Sequence, residues 1–470
     1  EYFDRANEKG YDKFTQIAAN LAMVAKLPKD LREDLTVVFL THSEDSTDIN
    51  GNRKIKAKTI GKMIDNTLTL EGLFSIVLFG KVNKNDDLVV VFSAIGKVTN
   101  MLEVVVEQYV KQTAKANDAL QKVKDFHTDI VDELFDENHA IYNEVNNLFV
   151  EIEWALEDEP NQDYGYDYDQ IVSIGEFLST KIMSAYLHQI GFANKWLDAR
   201  DLIRTDNAYR NAKVDWKTTA SFVNNQIKEK HAVTQGFIGC TSENFTSTLG
   251  REGSDFSAAI LAFALNADEV VIWKDVPGMM NADPKYYSDA TLLDKISFDE
   301  AIELAYFGAK VIHPKTIQPL KKKGIPLYIK SFVRPRESGS KISEGIATSP
   351  KIPSYIVKEN QILISISDTS LSFIVETHMS KIFSLLSKHS VRLNMMQNSA
   401  VSFSICVDND AHKVPRLLED LKNNFEVFFN DGLRLYTIRH YTSESVQSLV
   451  KNKDVILEQK SRNTLQIVAK

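Results

Sequence analysis

The chain has 470 residues, with 64 acidic and 55 basic side chains and a formal net charge of −9. That balance argues against general binding to nucleic acid or to an anionic membrane, both of which favour a basic surface. No apolar run approaches the roughly 18 residues of a membrane span, and two cysteines distant in sequence, Cys240 and Cys406, offer neither a disulfide framework nor a zinc cluster. A reduced cytosolic protein of about three domains is expected. The chain opens Glu1-Tyr2-Phe3-Asp4, with no secretory signal and no Met, which leaves an incomplete start open.

Helical spacing of Phe14, Ile17, Ala18, Leu21, Val24 and Leu27, ended by Pro28, predicts a first helix. A buried-type strand follows over 35–40, then a polar loop over 41–48, a basic stretch over 53–58 and a strand candidate over 74–79. The run Leu88–Ser93 is Val-rich without interruption, as in parallel strands buried on both faces. A long helical stretch carries Ile130, Leu134, Ile141, Val145, Leu148, Ile152 and Leu156, and an acidic, Tyr-rich loop over 157–169 ends it. Strands and helices then alternate: strand 236–239, helix 254–265, strand 269–273, helix 298–307. This is an α/β pattern. Pro335, Gly339 and several serines predict a linker over 331–342. From Pro353 the order is strand 362–367, helix 379–389, strands 391–397 and 401–407, helix 414–424, strand 425–429. That is the ferredoxin-like arrangement. A shorter second set runs from Leu433 to the end, with its helix over 443–450.

Four segments carry candidate chemistry. Thr248-Leu249-Gly250-Arg251-Glu252-Gly253-Ser254-Asp255 runs into an apolar helix. Glycines there let the backbone approach a ligand, the helix start offers free N–H groups, and Arg251 offers a fork for a carboxylate or phosphate. The plainer reading, with Ser254 or Asp255 as a cap, stays open. Trp273-Lys274-Asp275 and Asn281-Ala282-Asp283-Pro284-Lys285 follow the end of a strand, where open α/β sheets bind nucleotides; two solvated lysines in a turn are the alternative. Gly308-Ala309-Lys310-Val311-Ile312-His313-Pro314 ends an apolar helix, so Lys310 either favours the helix dipole or neutralises a transferring phosphoryl group, and His313 reads as a packed turn histidine. Ser93–Asn100 and Gly175-Glu176 are a strand-end turn and a helix start.

Together these motifs resemble the aspartokinases of the amino-acid kinase superfamily, over residues ~84–470, and the C-terminal region looks like that family's tandem ACT domains. The resemblance implies an α/β three-layer amino-acid kinase sandwich at 84–345, lacking its N-terminal strand and helix. It implies ferredoxin-like ACT domains at 353–432 and, in part, 433–470. It implies ATP-dependent phosphorylation of the aspartate β-carboxylate, on the route to lysine, threonine and methionine, with Mg2+ travelling on ATP. Aspartate contacts would fall to Ser93, Thr99, Glu176, Arg251, Ser254 and Asp255. Nucleotide contacts would run along Lys274, Asp275, Met280, Lys285, Lys310 and Val311, with Lys310 and Asp255 catalytic. Asn394, Asn398 and Ser399 would meet an amino-acid effector, and ACT strands would form a homodimer. A carboxylate is already a nucleophile, so such a site needs no general base; it must hold two anions in line and neutralise them.

Three departures stand out. Asn394 and Ala400 replace acids common in lysine-inhibited members, which leaves the effector open. Glu252 stands where the family has a small residue and adds negative charge beside the anion site. The family's opening strand with its Lys-Phe-Gly-Gly phosphate turn is absent; the nearest text is Leu78-Phe79-Gly80-Lys81. Residues 81–87 are too few for a parallel crossover before Leu88, so a phosphate clamp is expected to be missing and the sheet to be incomplete or improvised. Residues 1–83 read as a foreign segment that faintly resembles the back half of a RecA-like phage ATPase. No Walker loop accompanies it, and a gene fusion and an assembly artefact explain it equally. Two functions from different classes stay open: an aspartate kinase, and an amino-acid sensor whose impaired kinase core is scaffold.

Overall fold

The computed structural model describes residues 43–47, 53–57, 75–79, 87–113, 115–369, 373–451 and 453–470. The helix expected over 14–27, the strand expected over 35–40 and most of the ATPase-like segment lie outside the described residues. Within that segment, β1 (Ser43–Thr47) pairs antiparallel with β2 (Arg53–Ala57). The polar loop expected over 41–48 therefore contains a strand, and the basic stretch is its partner.

The chain divides into two compact units. The first takes in residues up to Met279 together with Asp294–Phe298 and Ile312–Ala347. Its eight-stranded sheet contains β3 (Ser75–Phe79), β4 (Leu88–Phe92), β5 (Lys195–Leu197), β6 (His231–Gln235), β9 (Val270–Lys274), β10 (Lys295–Ser297), β11 (Leu327–Ser331) and β12 (Ser340–Ser343), in the order β10-β12-β11-β9-β3-β4-β6-β5. A separate hairpin pairs β7 (Ile238–Cys240) with β8 (Thr246–Thr248). All five residues of β4 are buried, as the Val-rich run predicts. Leu88, Val90 and Phe92 face a core shared with α1 (Val98–Val110), α2 (Lys115–Leu134), α3 (Ile141–Glu157), α4 (Tyr164–Val172) and α5 (Ile174–Gln189). Alternation along the strand turns Val89 and Val91 to the other face. There α7 (Gly253–Leu265) lies against β4 and β9, flanked by α6 (Trp216–Gln226) and α9 (Pro314–Lys323). Sheet and two helical layers make the expected three-layer α/β sandwich.

Four expectations change here. The long helical stretch breaks into α2 and α3. The acidic loop is confined to 158–163, because Asp163 caps α4 by accepting a hydrogen bond from Gly165 N–H at 2.8 Å. The strand expected over 236–239 is interrupted at Gly236-Phe237, between β6 and β7. The supposed linker contains β12, which pairs with both β10 and β11.

The most consequential strand is β3. It runs antiparallel to both β4 and β9, with Ile76 opposite Phe92 and Ser75 opposite Lys274. The sheet is thus completed by a strand that needs only a short turn to reach β4, and no crossover helix.

The second unit comprises Met280–Leu293, Asp299–Val311 and Thr348–Lys470. It contains nearly all of α8 (Phe298–Phe307) and a six-stranded antiparallel sheet, order β14-β15-β13-β16-β18-β17. The strands are β13 (Ser354–Ser367), β14 (Leu393–Asn398), β15 (Ser402–Asp408), β16 (Glu426–Arg439), β17 (Val455–Lys460) and β18 (Thr464–Ala469), joined through α10 (Glu376–Lys388), α11 (Lys413–Lys422) and α12 (Ser443–Val450). The strands expected at 425–429 and from Leu433 are one continuous β16. The two ferredoxin-like copies interleave: β13 and β16 are long, pair along their length, and each serves both copies.

Candidate active site

The carboxyl ends of β4, β6 and β9 define one edge of the first unit's sheet, and three helix starts meet there. After β4 the chain turns through Ser93, Ala94, Ile95 and Gly96, whose φ of 57° is one that glycine adopts without strain, into α1. Ser93 and Thr99, the latter in the first turn of α1, are half-buried. The start of α5 packs on this turn: a Cβ on Gly175 would lie 3.1 Å from both Val98 and Leu102. Next to it, Glu176 is only 3% exposed. Its carboxylate accepts hydrogen bonds from its own backbone N–H and that of Ala94, while Oε2 has no partner. Burial outweighs those two bonds and pushes its pKa up to about 8.

The end of β6 brings the loop to α7. Gly236 N–H donates to Phe92 O at 2.8 Å, and a Cβ on Gly236 would sit 2.5 Å from the Ser254 Cβ. Only glycine allows that approach. Phe237 N–H donates to Ser257 Oγ at 2.9 Å, which fixes the loop to the first turn of α7. Behind it, Asp169 of α4 accepts from Thr248 N–H at 2.8 Å, from Thr248 Oγ1 at 2.7 Å and from Arg210 N–H. Burial raises its pKa to about 6 against these bonds. Asp169 thereby anchors the segment that presents Arg251, which is exposed.

The capping reading of Ser254 and Asp255 does not hold. The residue at the cap position is Glu252, left-handed with φ 55°, and no side chain caps the helix. Asp255, 1% exposed, instead pairs with Lys274 at the end of β9, Nζ to Oδ2 2.9 Å. The other oxygen, Oδ1, has no partner. Lys274 is 7% exposed, so it is not a solvated turn lysine. Burial lowers its pKa, but the charges of Asp255, Glu252 and Asp275 outweigh this and leave it above its ordinary value. Asp275 is pushed up by burial and accepts from its own N–H and that of Val276. Glu252 does not point away: its Oε2 is buried without a partner, burial raises its pKa, and Lys274 and Asp255 are its strongest charged neighbours.

Met280, Lys285, Lys310 and Val311 belong to the second unit. Met280 bridges to Leu292. Lys285 is exposed, 3.4 Å from Glu359. Lys310 is exposed in the turn after α8, beyond Gly308 at φ 119°. His313, at the start of α9 in the first unit, accepts from Lys315 N–H through Nδ1 and so caps that helix, as its packed-turn reading expects. Asn394 accepts from Lys358 Nζ at 2.8 Å and donates to Gln361 and Asp408. Asn398 and Ser399 lie at the far end of β14, where Ser399 bonds Ser402. Sequence reading missed Asp169 and the inward course of Glu252.

Residues 61–331 match the Amino acid kinase family. The chain belongs to that family. It is 30% identical over 383 residues to the lysine-sensitive aspartokinase 3 of Escherichia coli (strain K12), covering 77% of this chain and 84% of that one. It is 31% identical over 332 residues to the chloroplastic aspartokinase 1 of Arabidopsis thaliana, covering 68% and 58%. The crystal structure of E. coli aspartokinase III with aspartate and ADP (R-state) superposes with a TM-score of 0.70 at 27% identity, covering 81% of this chain and 89% of that one. The form with lysine and aspartate (T-state) gives 0.67. These relatives put the chain on the aspartokinase branch of the family.

Proposed function

We propose that the chain is an aspartate kinase, transferring the γ-phosphoryl group of ATP to the β-carboxylate of L-aspartate to give 4-phospho-L-aspartate. The observation that carries this is the carboxyl edge of β4, β6 and β9, where a buried Asp255–Lys274 pair and the unpartnered Glu176 oxygen lie among three helix starts. Helix N-termini and Arg251 suit the two carboxylates of aspartate, and Glu176 suits its ammonium group. Ser93, Thr99 and Ser254 supply hydroxyls from the same edge. The nucleotide contacts fall to Lys274 and Asp275 and, by the resemblance to aspartokinases alone, to Met280, Lys285 and Val311. Lys310 neutralises the transferring phosphoryl group, and Asp255 holds Lys274 charged and placed. The attacking carboxylate needs no base.

Mg2+ belongs on the ATP phosphates in this reading. The first unit, with β3 in its sheet, is the catalytic part; the bounds 84–345, 353–432 and 433–470 give way, because β3 lies before residue 84 and β16 runs through 432/433. The second unit carries the interleaved ACT pair, with an amino-acid effector near Asn394, Asn398 and Ser399. The open edges of the second sheet, β14 and β17, suit a homodimer, which a monomer in light scattering at micromolar concentration would exclude. No helix among the described residues is long and apolar enough to cross a membrane.

The test is ATP-dependent acyl phosphate formation, trapped with hydroxylamine. Aspartate-dependent product that disappears in Lys310→Ala supports the kinase. No product from folded protein refutes it and favours the sensor.

A further inference from the structure

One cation in the first unit has no part in the kinase reading. Arg210 lies in the turn before α6 and is exposed. Its φ of 66° is left-handed, a conformation that glycine adopts without strain and arginine does not. The turn is held in that form, because Arg210 N–H donates to both oxygens of Asp169, at 3.1 and 3.0 Å. A Cβ on Gly250 would lie 3.0 Å from Arg210 O, so the strained residue packs on the turn that presents Arg251. Backbone strain kept at such a place points to a task for the side chain. The guanidinium lies over two rings of α4, 4.6 Å from the Tyr168 centroid and 5.2 Å from that of Tyr164. Among the described residues it makes no ion pair. Asp169, whose charge it feels, is already taken by Thr248 and by the Arg210 N–H.

Tyr168 links this guanidinium to the site. It is 7% exposed and donates to Glu103 Oε1 at 2.7 Å. Glu103 stands one turn of α1 beyond Thr99, on the same face. Burial and Glu103 raise the pKa of the Tyr168 hydroxyl, Arg210 opposes them, and the charge of Glu176 reaches it as well. Arg210 and Glu176 therefore both act on one buried tyrosine. We propose that Arg210 is a second guanidinium for the substrate, taking the α-carboxylate of aspartate beside Arg251. The assignment rests on the kinase reading, in which Glu176 meets the ammonium group. The α-carboxylate is bonded to the same carbon as that ammonium, so a guanidinium on the Glu176 side meets this carboxylate first. The β-carboxylate must keep an electron pair for attack, and a guanidinium fork across both its oxygens would hold that pair back.

The test is calorimetric titration of the full chain at pH 7 with L-aspartate, with its α-amide and with its β-amide, asparagine. Arg210→Gly is the informative variant, because glycine fits the left-handed φ and keeps the turn folded. It should bind aspartate about tenfold more weakly, the loss of one charge-assisted contact. Its preference for aspartate over the α-amide should shrink by a similar factor, while its preference over asparagine stays as in the unaltered chain. Arg210→Lys, which keeps the charge without the fork, should recover part of the loss. A purely structural role, in which Arg210 only places the Arg251 turn, would weaken all three ligands alike and leave both preferences unchanged; that result overturns the proposal. Aspartate binding equal in Arg210→Gly and the unaltered chain overturns it too, and leaves the kinase reading standing. No heat from aspartate in the unaltered chain up to about 10 mM refutes both.

Discussion

The carboxylate of Glu176 makes aspartate binding depend on pH. Its pKa in the empty site is about 8, raised by burial. Ionising it there costs on the order of 5 kcal/mol more than in water. At pH 7 only about a tenth of the empty enzyme carries the charge that an ammonium group needs. The KM for aspartate should therefore fall close to tenfold per unit between pH 6 and 7, and level off above about pH 8. The same group sets a stability trend of opposite sense. A folded pKa raised above the unfolded one favours the fold at low pH, and that advantage is lost as pH rises from about 4.5 to 8. Glu176→Gln carries no charge at any pH. It should flatten the KM profile at its acid-side value and raise the melting temperature more at pH 9 than at pH 6. Initial rates with the hydroxamate assay and thermal melts across pH 6–9 measure both. A flat profile in the unaltered chain, or the same slope in Glu176→Gln, refutes the reasoning.

Lys274→Met leaves Asp255, 1% exposed, without its cation. It should cost about 3–5 kcal/mol in urea unfolding, and Asp255→Asn added to it should recover most of that stability but no activity. Glu252→Gly should gain about 1 kcal/mol, since the φ of 55° is left-handed, and should lower the KM for ATP by removing a negative charge beside Lys274; an unchanged KM would show that the carboxylate does not oppose the nucleotide. Arg439 donates to Glu300 through Nε and Nη2 at 3.2 and 2.6 Å, and through Nη1 to Thr464. Arg439→Met should therefore destabilise the second unit by about 3 kcal/mol, seen as an earlier urea transition for probes in that unit.

What was legible in the sequence followed from strong local signals. The Leu88 strand, the apolar helix after Gly253 and the β-α alternation are enough to put Arg251, Ser254, Asp255 and Lys274 at strand and helix ends. What was not legible lacked such signals. Strand β12 has one apolar residue, Ile342, and is held by two neighbouring strands rather than by its own pattern. Strands β1 and β2 are polar throughout except Ile55 and Ala57. Helix α4 is acidic and Tyr-rich, and its start depends on a single Asp163 cap. Asp169 acts on Thr248 from 79 residues away, and such a contact leaves no mark in either segment. The Glu252 charge was visible in the sequence; its inward direction follows from a left-handed backbone that sequence does not reveal.

The direction of β3 decides where a replacement for the missing phosphate turn is to be sought. In the family that turn follows the first strand. Here β3 begins opposite Lys274 and ends opposite Val89. Leu78 and Phe79 therefore lie toward the amino ends of β4 and β9, while Gly80-Lys81 fall outside the described residues. Four steps along an extended chain put Phe79 roughly 13 Å from the carboxyl edge. Two sources remain: the helix starts, Arg251 and Lys274 already at the edge, and the segment that enters the sheet at Ser75. The first source is the one the geometry already supplies. Activity in this chain would then rest on the Asp255–Lys274 pair more heavily than in a relative with its own phosphate turn, and grafting the family's first strand and helix onto Leu88 should relieve that dependence.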